Sequence, residues 1–112
     1  MPGVVTDLTA VTFDEEVVAS PVPVLVEFWA PWCGPCRALG PVLDDLASDH
    51  AGRLAVRRVN ADEQPELSGR FDVTAVPTLC VFDAGELRLR LVGARSRRLL
   101  EQELAALLSQ PA

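Results

Sequence analysis

The sequence predicts a three-layer α/β domain with five strands and four helices, on three observations. Strand-like and helix-like patterns follow one another in the order β-α-β-α-β-α-β-β-α. Val24 to Trp29 is apolar on both alternating faces apart from Glu27, as in a central strand covered from both sides. At 112 residues and 49% hydrophobic, residues 1–112 suffice for one domain that buries a core without disulfide staples.

In chain order, Val4-Val5 is a short candidate strand. Thr12-Phe13-Asp14-Glu15 has the capping-box pattern and is expected to open a helix through about Ala19, which Ser20-Pro21-Val22-Pro23 stops. After the Val24 to Trp29 strand, Arg37 to Asp49 reads as a helix that begins around Cys33. Cys36, Leu39, Leu43, Leu46 and Ala47 form its buried stripe, and Pro41 should kink it. The turn signal Ala51-Gly52 precedes a strand over Leu54 to Val59. Asp62 can cap a short helix through Phe71, with Pro65 in its tolerated first turn and Leu67 and Phe71 as i, i+4 neighbours. Thr78 to Phe82 is a strand, Asp83 to Glu86 a turn, and Leu87 to Leu91 alternates strictly, as a half-buried strand does. Ser96 can start a last helix buried along Leu100, Leu104, Leu107 and Leu108.

The chemistry concentrates in Phe28-Trp29-Ala30-Pro31-Trp32-Cys33-Gly34-Pro35-Cys36. A Cys33 thiolate at a helix start faces unpaired backbone N–H groups and the positive end of the helix dipole, which lowers its pKa. The i, i+3 spacing brings Cys36 to the same face, at a separation a disulfide can span, and Pro35 loses nothing by lacking an N–H there. Cys36 then points inward and Cys33 lies nearer the exposed end. Half a zinc site has the same spacing, but only Cys80 and His50 remain as further soft ligands, neither at ligand spacing from the pair, so the pair reads as redox-active. Trp29 is as easily a core aromatic as a site residue. Trp32, outside the strand, can cover a disulfide or contact a docking protein, and Gly34-Pro35 offers a small, stiff surface. Cys80, in an apolar strand, reads as a small buried hydrophobe, and His50 as a solvated residue at a helix C-terminus.

Trp32-Cys33-Gly34-Pro35-Cys36, preceded by Val26 to Pro31, resembles the active-site segment of the thioredoxin family. Asn60-Ala61-Asp62, Val76-Pro77-Thr78-Leu79 and Val92-Gly93-Ala94 are similar to further landmarks of that family, and the resemblance covers roughly residues 4 to 109. It implies a mixed sheet of order 1-3-2-4-5 with the last strand antiparallel and helices on both faces. It also implies a cis Pro77 facing the disulfide, a Val76 backbone turned outward toward an extended substrate, and a Gly93 that keeps the groove open. The activity implied is reduction of protein disulfides. Cys33 attacks, Cys36 resolves, and Glu27 takes the proton from Cys36 directly or through a water. The family usually has Asp at the place of Glu27 and Lys at the place of Arg58; both polarities persist here, but Arg58 can hold charge without passing on a proton. No cofactor is expected beyond the cysteine pair itself. The oxidised pair would be reset by a thioredoxin reductase carrying flavin and NADPH, since no Gly-rich dinucleotide fingerprint occurs in this chain.

Composition narrows the setting. A net charge of −6 argues against a nucleic-acid partner, and all ten cations are Arg. Three cysteines do not make a secreted disulfide framework. The N-terminus lacks a basic and apolar leader, and no run approaches a membrane span. A cytoplasmic monomer with disulfide-containing target proteins is the expectation. An oxidase or isomerase module is disfavoured because such members usually carry His where Pro35 stands. A non-enzymatic binding subunit using the rim of Trp32, Val76 and Gly93 is the reading from a different class.

Overall fold

The computed structural model describes residues 2–108. Five strands, β1 (Thr6–Asp7), β2 (Val24–Trp29), β3 (Ala55–Asn60), β4 (Thr78–Asp83) and β5 (Glu86–Val92), form one sheet in the order β1-β3-β2-β4-β5. β1 and β2 both run parallel to β3; β4 opposes β2, and β5 opposes β4. The last strand is therefore antiparallel to its neighbour, as expected, and the strand that opposes the others is β4. Four helices complete the domain: α1 (Asp14–Val18), α2 (Gly34–Asp49), α3 (Pro65–Arg70) and α4 (Arg97–Leu108).

Alternation along the strands divides the core into two layers. Leu25, Val56, Leu79 and Val81 meet Leu39, Leu43 and Leu46 of α2 and Leu100 and Leu104 of α4. Val24, Val26, Phe28, Val59 and Phe82 face the other way, toward Phe13 and Val17 of the α1 segment and Leu67 of α3. There Phe71 stacks against Phe13 at 4.9 Å and Phe82 at 5.1 Å between ring centres. β2, flanked on both edges and covered on both faces, buries Val24 to Phe28 completely.

Several local expectations are corrected. The first strand is Thr6–Asp7 rather than Val4-Val5; Val4 is exposed, and Thr6 and Asp7 pair with Arg57 and Arg58. Thr12 and Glu15 do not form a capping box. Thr9 and Thr12 do the equivalent one turn earlier: Thr9 N donates to Thr12 Oγ1 at 3.0 Å and Thr12 N to Thr9 Oγ1 at 3.3 Å. The helix they open widens into a π-type turn, closed by Ala19 N on Asp14 O at 3.0 Å. Asp62 caps nothing either. Asn60 Oδ1 accepts from the N–H groups of Asp62 and Glu63, and α3 starts later, at Pro65. His50 is not solvated: its Nε2 lies 3.0 Å from Glu101 Oε2 and its Nδ1 3.2 Å from Arg53 Nη2, joining the end of α2 to α4. Arg97 reinforces that junction through Asp45 and Asp49.

Candidate functional site

β2 ends at Trp29, at the edge of the sheet's apolar interior, and the chain must turn over that edge to enter α2. Ala30 is buried in the turn, Cys33 N donates to Ala30 O at 3.1 Å, and Cys33 becomes the N-cap residue of α2 with an extended backbone. Its sulfur takes the part an N-cap oxygen usually plays, accepting from Cys36 N at 3.2 Å. Pro35 occupies the first turn, where no N–H is required. Cys33 and Cys36 are joined by a disulfide with their Cα atoms 5.3 Å apart. Any negative charge developing on Cys33 thus lies against free N–H groups at the positive end of a 16-residue helix.

The disulfide is packed against Ala30, Trp29 and Val76. Cys33 is less exposed than the sequence suggested, at 4% against 1% for Cys36, because the Val76 segment closes over it. The Val76–Pro77 bond is cis. Gly93 N donates to Pro77 O at 2.8 Å, so the segment after β5 is fastened to the one before β4. Gly93 has a φ of +93°, which a side chain disfavours, whereas a Cβ there would meet only the Arg95 guanidinium tip at 3.4 Å. Its backbone conformation alone favours glycine here.

Trp32 stands 70% exposed, its indole Nε1 donating to Asp62 Oδ2 at 2.9 Å. Together with Ala61, Asp62, Ser68 and residues 73–76, it lines a shallow groove of about 230 Å³ beside Val76. Gly34 and Pro35 are exposed next to it. A larger cleft, about 420 Å³, lies between the N-terminal segment, α1 and the start of β3 and includes none of these residues.

Beneath α2, on the face of β2 that carries Leu25, sits Glu27. It pairs in register with Arg58 of β3 and is fully buried. Arg58 Nε donates to Glu27 Oε1 at 3.1 Å while its guanidinium lies 4.2 Å from the centre of the Trp29 ring. Glu27 Oε2 and Trp29 Nε1 are buried and make no hydrogen bond among the described residues. Burial pushes the Glu27 carboxyl above its ordinary value, and the charge and hydrogen bond of Arg58 oppose this without reversing it. Trp29 is therefore both a core aromatic and a wall of the disulfide's surroundings.

Cys80 is fully buried between Val26 and Arg90 in the sheet, its thiol pushed up to about 11 by burial. Among the described residues no group of three or more His, Cys, Asp or Glu side chains could hold a metal ion. Two contacts had no sequence signal. Asp62 reads as a helix cap until its neighbour across the turn is known, and Arg37, whose Nη2 donates to Pro31 O at 2.7 Å, reads as one more solvated helix charge.

The family model that describes thioredoxins matches residues 4–106. The chain belongs to the thioredoxin family. It is 44% identical over 97 residues to Thioredoxin 1 of Nostoc sp., covering 87% of this chain and 91% of that protein. It is 43% identical over 100 residues to the chloroplastic Thioredoxin M4 of Arabidopsis thaliana, covering 89% of this chain but 52% of that protein. A bifunctional thioredoxin reductase/thioredoxin of Mycobacterium leprae is 39% identical over 103 residues, covering 92% of this chain and 22% of that protein. This thioredoxin-family chain is a thiol–disulfide oxidoreductase whose redox-active group is its own disulfide, with no separate cofactor required.

Proposed function

We propose that this thioredoxin-family domain, spanning residues 1–112 as one unit, reduces disulfides in other proteins, with Cys33 as the attacking thiolate and Cys36 as the resolving thiol. The observation that carries the assignment of roles is the asymmetry of the pair: Cys33 caps α2 at its positive end, whereas Cys36 lies on the buried stripe of the helix. The Cys33 thiolate attacks one sulfur of the target disulfide, forming a mixed disulfide and releasing the other target sulfur as a thiolate that takes up a proton. Cys36 then loses its proton and attacks the Cys33 sulfur, which expels the second target thiol. Two electrons pass from the dithiol to the target, and the Cys33–Cys36 disulfide is restored.

Glu27 is the proton acceptor for Cys36 in this reading. A carboxylate with a raised pKa, buried below the helix that carries the resolving thiol, is suited to take a proton from that thiol and later to return it. Arg58 positions Glu27 and moderates its charge without exchanging protons. Trp32, Gly34, Pro35, Val76, Pro77 and Gly93 form the face on which the target lies. The exposed indole and the groove beside Val76 suit an extended segment that pairs with the Val76 backbone.

The oxidised protein is reset by a separate thioredoxin reductase carrying flavin and NADPH; the Mycobacterium leprae relative, a bifunctional thioredoxin reductase/thioredoxin, supports that pairing. We place the protein in the cytoplasm as a monomer. Among the described residues no helix is long and apolar enough to cross a membrane. Reduction of insulin disulfides with dithiothreitol or a reductase as electron source tests the function. Catalysed precipitation of the insulin B chain is expected, and a rate no greater than that of dithiothreitol alone would overturn the reading.

A further inference from the structure

The surface is acidic overall, yet the two segments that flank the disulfide each present an arginine with no carboxylate partner among the described residues. Arg57, Arg58, Arg70, Arg88 and Arg97 all pair with Asp or Glu. Arg37, Arg53, Arg90, Arg95 and Arg98 do not among the described residues, and of these Arg37 and Arg95 lie on the segments beside the disulfide. Arg37 Nη2 donates to Pro31 O at 2.7 Å, tying the first turns of α2 to the loop that leads into Cys33. Arg95 Nη1 donates to Val92 O at 2.9 Å and to Ala94 O at 3.3 Å, bridging the loop after β5. The second loop adjoins the disulfide through a short chain of contacts. Arg95 lies at Gly93, Gly93 N bonds Pro77 O, and Val76 packs on Cys33 and Cys36.

A guanidinium held by backbone carbonyls keeps its remaining N–H groups free and loses little side-chain freedom when it takes a further acceptor. A planar fork fixed in this way matches a carboxylate, whereas a solvated chain end would not be preorganised for one. The rim carboxylate Asp62 accepts from the Trp32 indole and makes no ion pair with either arginine among the described residues. We propose that Arg37 and Arg95 select targets, favouring disulfides whose attacked cysteine has Asp or Glu within one or two residues. This rests on the redox reading above and adds to it the chemistry of the preferred target.

The test uses single-turnover reduction by the pre-reduced protein. Three disulfide-linked peptide dimers, identical except for Asp, Ser or Arg beside the cysteine, are compared by second-order rate constant. All three meet the same Cys33 at the same pH, so ratios within one protein cancel any change in the nucleophile. The Asp peptide should react faster than the Ser peptide by about two- to fivefold for each guanidinium engaged, the scale of an exposed ion pair, with the Arg peptide slowest. The spread should collapse at about 1 M salt, where charges are screened within about 3 Å. Arg37→Gln and Arg95→Gln should each lower the Asp-to-Ser ratio, the double variant should bring it to the ratio that dithiothreitol gives with the same peptides, and the Lys variants should keep part of it. Equal rates for all three peptides, or a ratio unmoved in the double variant, would overturn the inference while leaving the redox reading intact. Failure to reduce any of the peptides would overturn both.

Discussion

Glu27 is the residue whose energetics separate most cleanly from packing. Its carboxyl titrates above its ordinary value of 4.5 in the fold, so between those two values the native state holds a proton that the unfolded chain has lost. The stability this contributes is fully present below about pH 4.5 and is lost as pH rises through the native value, after which it levels off. Glu27→Gln removes the effect. In denaturant series across pH, wild type should lose stability relative to Glu27→Gln on going from pH 4 toward neutrality; a relative gain would mean that the Arg58 pairing outweighs burial. Cys80 gives the complementary expectation. A thiol pushed up to about 11 stays protonated and covered at neutral pH, so brief alkylation of the reduced protein should leave it unlabelled. Cys80→Ala should cost about 1 kcal/mol through a small cavity and keep the reduction rate within about twofold. A larger loss of activity would give Cys80 a part in the reaction.

The N-terminal helix shows how far local patterns carry at the scale of an element. Thr12-Phe13-Asp14-Glu15 satisfies the capping-box rule, but Phe13 is drawn wholly into the core against Phe71 and Phe82, and that packing sets the helix entry one turn earlier. Thr9→Ala should therefore cost about 0.5–2 kcal/mol by thermal or denaturant unfolding, and Glu15→Ala close to nothing. The reverse order would restore the box expected from sequence. The same cause limited the reading of Asp62. A side chain with two possible acceptor roles cannot be assigned until the long-range partner is in place, and Trp32 is 30 residues away. The helix at the site was fully legible by contrast, since its start, its buried stripe and its end follow from Pro35, the leucine spacing and Asp49 with no distant partner involved. In β2 the lone charge Glu27 stood out because the rest of the strand is apolar. Its contact with Arg58 depends on sheet register, which the sequence does not state.

Over the whole molecule, the sheet order β1-β3-β2-β4-β5 puts the end of β2 beside the start of β4, and this brings residues 29–36 to Val76 across 40 or more positions of sequence. Periodicity alone supplied the strands and helices. The order and the cis Val76–Pro77 bond came from the resemblance of motifs, and the geometry agrees with both, whereas the bond from Gly93 N to Pro77 O emerges only in the fold. The direction of the exchange is set by position on α2: the helix-capping Cys33 attacks, and Cys36, on the buried stripe, resolves. It is tested most directly by reacting reduced Cys36→Ser with a disulfide-containing target and mapping the adduct by mass spectrometry. A stable mixed disulfide on Cys33 is expected, together with loss of turnover in Cys33→Ser. An adduct on Cys80, or turnover that survives in Cys33→Ser, would contradict it.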